Sequence, residues 1–126
     1  MVNLMGVARY LRQHKRGVRI IGIEPMVGHA IQGLKNMTES IVPKIYHPEE
    51  LDEKIVIEDS EAFEVTTLLV RAEGLFVGMS SGAAVAGALR IAKGMKSGTI
   101  VVVLPDRGDR YLSTTLFRSI CAKCPP

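Results

Sequence analysis

The sequence is poor in aromatic residues and cysteine, and it has no long hydrophobic run. Its 126 residues include no tryptophan and two cysteines, and aromatic residues make up 5% of the chain. No run of about 18 apolar residues is present, which argues against a membrane-spanning helix. The basic residues are scattered, so the formal net charge of +3 does not indicate a nucleic-acid partner. We therefore expect neither a membrane nor a nucleic acid as partner.

The rest of the composition is that of a globular protein. Hydrophobic residues make up 47% of the chain and charged residues 23%, and a chain of this length suffices for one compact domain with a core. In the opening stretch MVNLMGVARYLRQHKRG the charges follow the apolar residues, whereas a secretory signal peptide has the opposite order. We therefore expect a cytoplasmic protein.

The two cysteines form the pattern Cys121-x-x-Cys124 near the end of the sequence. This pattern is compatible with half of a metal site, with a redox pair or with two reduced thiols in a tail. A zinc site needs four ligands, and the sequence offers no second cysteine pair and no nearby histidine. Two reduced thiols are the favoured interpretation, and no metal site is predicted.

Hydrophobic periodicity predicts three helices and four short strands. Apolar residues three and four positions apart indicate amphipathic helices, which are expected at residues 4–14, 60–73 and 81–94. Runs of β-branched residues indicate strands, which are expected at residues 18–23, 54–57, 76–77 and 99–104. Serine and aspartate favour helix N-caps, and the candidate caps are Asp59 or Ser60 and Ser80 or Ser81. Residues 26–51 show no sustained period, and a loop of that length usually has a function.

This alternation predicts an α/β fold. We expect a parallel sheet with helices on both faces, a three-layer αβα arrangement with right-handed crossovers. Ligands of such sheets bind at the carboxyl ends of the strands. Three segments follow predicted strands and are expected to lie along one rim, namely the long loop after Glu24-Pro25, Gly78 to Gly82, and Pro105 to Gly108.

Gly78-Met79-Ser80-Ser81-Gly82 has the spacing G-x-S-x-G, which leaves three roles open for Ser80. In α/β-hydrolases this spacing holds a nucleophilic serine, but the base histidine then follows the serine in the chain. The three histidines of this sequence all precede Ser80, which argues against a nucleophile. Ser80 is otherwise expected to cap the following helix, or to donate a hydrogen bond to a ring nitrogen of a heteroaromatic cofactor.

Longer stretches around these residues carry a family resemblance. VGMSSGAAVAGALRIAK and VVVLPDRGDRYLSTTLF, with IIGIEP and HAIQGLKNMTESIVPKIY upstream, resemble the C-terminal part of the cysteine synthase (O-acetylserine sulfhydrylase) family of fold-type II pyridoxal-phosphate enzymes. The similarity is greatest to the cysteine synthase B branch. It extends from about Leu4 to Phe117, so we expect residues 1–117 to form the C-terminal α/β portion of such a catalytic domain and residues 118–126 a tail.

The resemblance implies a cofactor and positions for it. It implies that Ser80, in the turn that begins at Gly78, contacts the pyridine nitrogen of pyridoxal phosphate. Pro105 and Asp106 are then expected beside the ring, and the segment of Gln32 and Gly33 is expected to line the cleft for the amino-acid substrate. A hydroxyl leaves the pyridine nitrogen uncharged, whereas a carboxylate would hold it protonated. The implied reaction replaces the leaving group of O-acetylserine, or of a related activated serine, by sulfide to give cysteine.

The resemblance also shows what these 126 residues lack. The lysine that binds the cofactor covalently, the loop that grips the substrate carboxylate and the glycine-rich phosphate loop belong to a preceding half of such enzymes. No catalytic residue is therefore predicted here, and the chain alone is expected to be inactive and to hold the cofactor poorly. Exposed apolar surface is expected to drive homo-oligomerisation or association with the missing half. The alternative is a non-catalytic α/β binding or interaction module.

Overall fold

The computed structural model describes residues 2–15 and 17–112 of the chain. Within these ranges it contains three α-helices, one two-stranded sheet and two short 3-10 helices. The helices are α1 (Val2–His14), α2 (Asp59–Glu73) and α3 (Met79–Gly94), and the strands are β1 (Ile21–Pro25) and β2 (Glu53–Ile57). The 3-10 helices are Pro48–Glu50 and Gly108–Tyr111. No helix within the described ranges is long and apolar enough to cross a bilayer.

The two strands run parallel and have helices on both faces. Ile23 of β1 is opposite Ile55 of β2. A Cβ atom on Gly22 would lie 3.4 Å from a methyl carbon of Leu4 in α1, whereas Ile23 reaches Gly87 of α3 on the other face. Successive strand residues point to opposite faces, so these contacts place α1 and α3 on opposite sides of the sheet. The predicted α/β class and three-layer order are confirmed.

Each face of the sheet covers its own hydrophobic cluster. The α3 side contains buried Ile31, Ile57, Ala62, Met79, Ala83, Ala86 and Tyr111. The α1 side contains buried Met5, Ala8 and Ile20. Ion pairs also connect α1 to the segment before β2, with Arg9 at 3.1 Å from Glu50 and Arg12 at 2.6 Å from Asp52.

The helices α2 and α3 pack closely because glycine lies at their contact. A Cβ atom on Gly82 would lie 2.5 Å from the carbonyl oxygen of Ala62 and would meet the hydroxyl of Thr66. That hydroxyl donates to the Ala62 carbonyl oxygen at 2.6 Å. The helix α2 ends at Gly74, as predicted, with a left-handed φ of 67° that glycine adopts without steric cost.

The predicted helix caps are wrong. The N-cap of α2 is Glu58 and that of α3 is Gly78, and neither makes a side-chain cap. Both helices begin earlier than expected, so the predicted caps lie within the first turn. The Asp59 carboxylate instead accepts the backbone N–H of Ala30 at 2.6 Å, because it lies beside the long loop.

Two of the four predicted strands do not form as strands. Val77 makes a single antiparallel bridge with Arg107. Residues 99–104 form no ladder with any other described residue, and Val101 is 86% exposed. A strand that is apolar on both faces needs a neighbouring strand and cover on both faces. The described residues provide no pairing strand and leave Val101 and Val103 exposed. The predicted boundary after residue 117, the tail, Cys121 and Cys124 lie outside the described residues.

Candidate functional site

Three separate segments meet around Ser80. A Cβ atom on Gly33 of the long loop would lie 3.6 Å from the Ser80 hydroxyl oxygen and 4.0 Å from the Tyr111 hydroxyl oxygen. On the other side, a Cβ atom on Gly78 would lie 2.5 Å from Oδ1 of Asp106. The structure therefore brings the three predicted rim segments together.

Ser80 lies in the first turn of α3 and is 6% exposed. It does not cap the helix, because the N-cap position is Gly78 and no side chain makes a cap hydrogen bond there. The Ser80 hydroxyl makes no hydrogen bond to another residue in 2–15 or 17–112. It therefore remains able to donate to a bound ligand.

The histidines provide no base for Ser80. Nδ1 of His29 accepts the N–H of Ile31 at 3.2 Å, two residues further along the loop. Nδ1 of His14 lies 2.8 Å from the Tyr10 carbonyl oxygen, and Nδ1 of His47 lies 3.0 Å from Glu49. Each ring thus bonds within its own segment, which favours a hydrogen-bonding role for Ser80 over a nucleophilic one.

Two further polar atoms near the start of α3 have no hydrogen-bond partner among the described residues. They are the hydroxyl oxygen of Ser81, which is fully buried, and Oδ1 of Asp106. Buried polar groups are normally paired, and leaving one unpaired costs free energy. A polar ligand at the start of α3 would offer Oδ1 of Asp106 a partner. The hydroxyl, carboxylate and close glycine backbone present here fit the ring edge of a pyridine cofactor.

The other predicted site residues lie at the periphery. Gln32 is exposed beside Gly33, and Pro105 is exposed beside Asp106. Pro105 and Asp106 help to line an open depression of about 390 Å³ whose other lining residues are Arg107, Asp109 and Arg110. Arg107 Nε lies 3.4 Å from Asp109 in an exposed ion pair.

Side chains from the sheet hold the long loop in place. Buried Glu24 accepts the N–H of Met37 at 2.5 Å through Oε1 and lies 2.5 Å from the Lys54 ammonium through Oε2. From the loop side, the side-chain Nδ2 of Asn36 donates to the Pro25 carbonyl oxygen of β1 at 2.8 Å. These bonds position the segment that contains Gly33 over Ser80.

Tyr111 also belongs to the site, although the sequence patterns do not single it out. Its hydroxyl donates to Oδ2 of Asp106, and its ring carbon Cε2 lies 2.5 Å from the Cβ position of Gly78. The hydrogen bond to Asp106, followed by burial, raises the pKa of Tyr111 to about 12. The only sequence signal for this residue is its place within the stretch PDRGDRYLST.

Comparison with known proteins identifies relatives that are longer than this chain. Residues 2–106 match the sequence profile of the family described as "Pyridoxal-phosphate dependent enzyme". The chain is 40% identical over 114 residues to cysteine synthase B of Pseudomonas aeruginosa, covering 90% of this chain and 38% of that protein. It is 35% identical over 128 residues to O-ureido-L-serine synthase of Streptomyces lavendulae, covering 93% and 39%.

Solved structures show the same relationship. The crystal structure of cysteine synthase from Entamoeba histolytica superposes with a TM-score of 0.83 at 35% identity, over 91% of this chain and 37% of that one. O-acetylserine dependent cystathionine beta-synthase from Helicobacter pylori superposes with a TM-score of 0.80 at 33% identity, over 90% and 40%. The chain thus spans about two fifths of the length of these relatives and aligns with their C-terminal part. It belongs to the pyridoxal-phosphate dependent enzyme family and has the fold of a fold-type II member.

Proposed function

We propose that this chain supplies the cofactor-ring and substrate-cleft part of a cysteine synthase, which replaces the leaving group of O-acetylserine or a related activated serine by sulfide. The similarity to cysteine synthase B supports this assignment. The observation that carries it is the Ser80 hydroxyl, which lies at the start of α3 beside Gly33 and has no partner in the described ranges.

In this proposal the residues around Ser80 hold the ring of pyridoxal phosphate. The Ser80 hydroxyl would donate a hydrogen bond to the pyridine nitrogen, and Gly78 would allow the backbone to approach closely. Pro105 and Asp106 would lie beside the ring. When bound, the cofactor supplies an electron sink for charge at Cα of an amino acid. A hydroxyl does not protonate the ring nitrogen, and this moderate sink suits the departure of a good leaving group from Cβ.

The long loop contributes the substrate cleft. A Cβ atom on Gly33 would lie 3.6 Å from the Ser80 hydroxyl oxygen, so the loop passes beside the group that would meet the ligand. Gln32 is exposed at the same turn and is available to the amino-acid substrate.

The lysine that binds the cofactor is assigned to the portion of the relatives that this chain does not span. Lys54 lies in β2 and forms an ion pair with Glu24, so its ammonium group is already engaged. We therefore propose that the chain is inactive alone. We also propose that residues 99–104 help it to associate with the missing portion or with a second copy, because Val101 and Val103 are 86% and 59% exposed.

Two further assignments rest on the sequence alone. We assign residues 1–117 to the catalytic α/β portion and residues 118–126 to a tail. We place the protein in the cytoplasm, where Cys121 and Cys124 would remain reduced thiols.

Reconstitution tests the proposed function. The N-terminal portion of Pseudomonas aeruginosa cysteine synthase B that this chain does not match is expressed separately and mixed with the chain and pyridoxal phosphate. We expect a visible absorbance band from lysine-bound cofactor, together with cysteine formation from O-acetylserine and sulfide. Neither is expected from either chain alone.

The control is the same relative divided at the same position. If its own two parts recombine into an active enzyme while the hybrid mixture gives neither absorbance nor cysteine, the proposed function is wrong. That result would favour the alternative, a non-catalytic α/β binding or interaction module.

A further inference from the structure

Tyr111 lies where the three segments of the site come together. Its hydroxyl donates to Asp106, its ring fills the space beside Gly78, and its hydroxyl oxygen lies 4.0 Å from the Cβ position of Gly33. It is 7% exposed and belongs to the hydrophobic cluster that includes Ile31 of the long loop.

The hydrogen bond from Tyr111 gives the two carboxylate oxygens of Asp106 different surroundings. Oδ2 is occupied by the phenol hydroxyl. Oδ1 is buried, lies 2.5 Å from the Cβ position of Gly78 and has no partner among the described residues. The Asp106 carboxylate is therefore fixed in orientation, with one oxygen left as an acceptor at the start of α3.

We propose that Tyr111 is a positioning residue that acts through Asp106, holding Oδ2 so that Oδ1 faces a ligand N–H or O–H group beside Ser80. The nature of that ligand, an amino acid bound next to pyridoxal phosphate, rests on the proposed function. The structural coupling of Tyr111, Asp106 and Gly33 does not depend on the proposed function. The packing of the ring orients the hydroxyl, and a phenylalanine would preserve the packing but lose the orientation of the carboxylate.

The chain itself allows the coupling to be tested. Tyr111→Phe, Asp106→Asn and the double variant are compared with Tyr10→Phe, which removes an exposed hydroxyl from α1. The measurement is the NMR amide resonances of Gly33 and Ser80. We expect each single substitution at the site to shift both resonances and the double variant to shift them no further, because both remove one interaction. Tyr10→Phe is expected to leave them unchanged.

Additive shifts, or a folded Tyr111→Phe variant with unshifted Gly33 and Ser80 resonances, would overturn the proposal. A second measurement needs no substitution at Tyr111. Ultraviolet difference absorbance should show a tyrosine with a pKa of about 12, that of Tyr111, and Asp106→Asn should lower this pKa, because it removes the hydrogen bond but not the burial. A pKa of Tyr111 that stays the same in Asp106→Asn would also overturn the proposal.

The reconstituted hybrid separates positioning from a merely structural role. Tyr111→Phe is expected to raise KM for O-acetylserine about tenfold, the effect of one lost oriented hydrogen bond, while kcat changes less. An unchanged KM would overturn the role toward a ligand. A hybrid that binds no cofactor contradicts the proposed function instead, and the coupling is then decided by the NMR and titration results on the chain alone.

Discussion

The ammonium nitrogen of Lys54 lies 2.5 Å from Oε2 of Glu24, a carboxylate that is 2% exposed. The same carboxylate accepts the N–H of Met37, so one buried charge connects both strands to the long loop. Removing one partner of a buried ion pair leaves the other charge without compensation, which usually costs more than the pair contributes. Lys54 is therefore important for the position of the loop.

Lys54→Met is expected to lower the free energy of unfolding by about 1–3 kcal/mol, less than for a fully buried pair because Lys54 is partly exposed. Urea denaturation followed by circular dichroism measures the change. Lys35→Met is the matched control, since Lys35 is an exposed lysine of the same loop. An equal loss in both variants would contradict the assignment.

The same pair predicts a loss of stability at alkaline pH. The hydrogen bond to Glu24 raises the pKa of Lys54 in the folded protein above 10.5. A raised pKa gives stability that is complete below the unfolded value and is lost as pH rises through the folded value. We expect the free energy of unfolding of the wild type to fall above about pH 10.5, and Lys54→Met to fall less steeply over that range. Parallel curves would contradict this.

The lowered pKa of Asp52 predicts a loss of stability at acid pH. The N–H of Ile20 and the Arg12 guanidinium lower the pKa of Asp52 below 3.8. Its contribution is therefore present above pH 3.8 and is lost as pH falls through the lower folded value. Asp52→Ala should unfold with a shallower acid dependence than wild type in a pH-dependent melting series. Glu64→Ala, an exposed position on α2, is the control and should retain the wild-type slope.

The contact of α2 with α3 predicts opposite effects for two glycine substitutions. Gly82→Ala should destabilise the protein by about 1–3 kcal/mol, because the added methyl group meets Thr66 and the Ala62 carbonyl. Gly6→Ala in α1 has no atom within 4 Å of the new methyl group. It should stabilise by about 0.5–1 kcal/mol through helix propensity. Thermal unfolding of both variants measures the difference, and a destabilised Gly6→Ala would contradict the explanation.

Exposed apolar residues predict self-association of the isolated chain. Val101→Glu combined with Val103→Glu should lower the average mass measured by light scattering at high protein concentration, because charge disfavours an apolar contact. Leu68→Glu introduces charge at an exposed apolar position of α2 and should not. A wild-type chain that is already monomeric under these conditions would contradict the prediction.

Ser80 predicts a spectroscopic effect in the hybrid enzyme. Ser80→Ala removes the donor to the ring nitrogen and should weaken cofactor binding by about tenfold, as expected for one hydrogen bond. Ser80→Asp should instead hold the nitrogen protonated and shift the visible absorbance band. Unchanged binding and an unchanged band in both variants would show that Ser80 does not contact the ring.

The sequence predicts the helices better than the strands. Apolar residues recur at helical spacing within each of α1, α2 and α3, so the sequence of each helix by itself indicates where it lies. Residues 99–104 have the composition of a buried strand, but a strand forms only when another segment pairs with it. Whether such a neighbour exists depends on residues distant in sequence.

The site shows the same limit. Ser80 and Asp106 lie in sequence patterns that the resemblance interprets directly. The contribution of Tyr111 depends on the tertiary approach of Gly78 and Gly33, and a tyrosine five residues after an aspartate does not indicate it. The helix-cap predictions fail for a similar reason. The Asp59 carboxylate comes close to the long loop only in the folded chain, where it accepts the N–H of Ala30.

Glu24 and Asp59 hold the long loop through its backbone N–H groups rather than through its side chains. Glu24 binds the amide of Met37, and Asp59 binds the amide of Ala30. Substitution of Ala30 or Met37 by another residue therefore keeps the N–H group that each hydrogen bond uses. Proline is the exception, because it has no amide hydrogen to give.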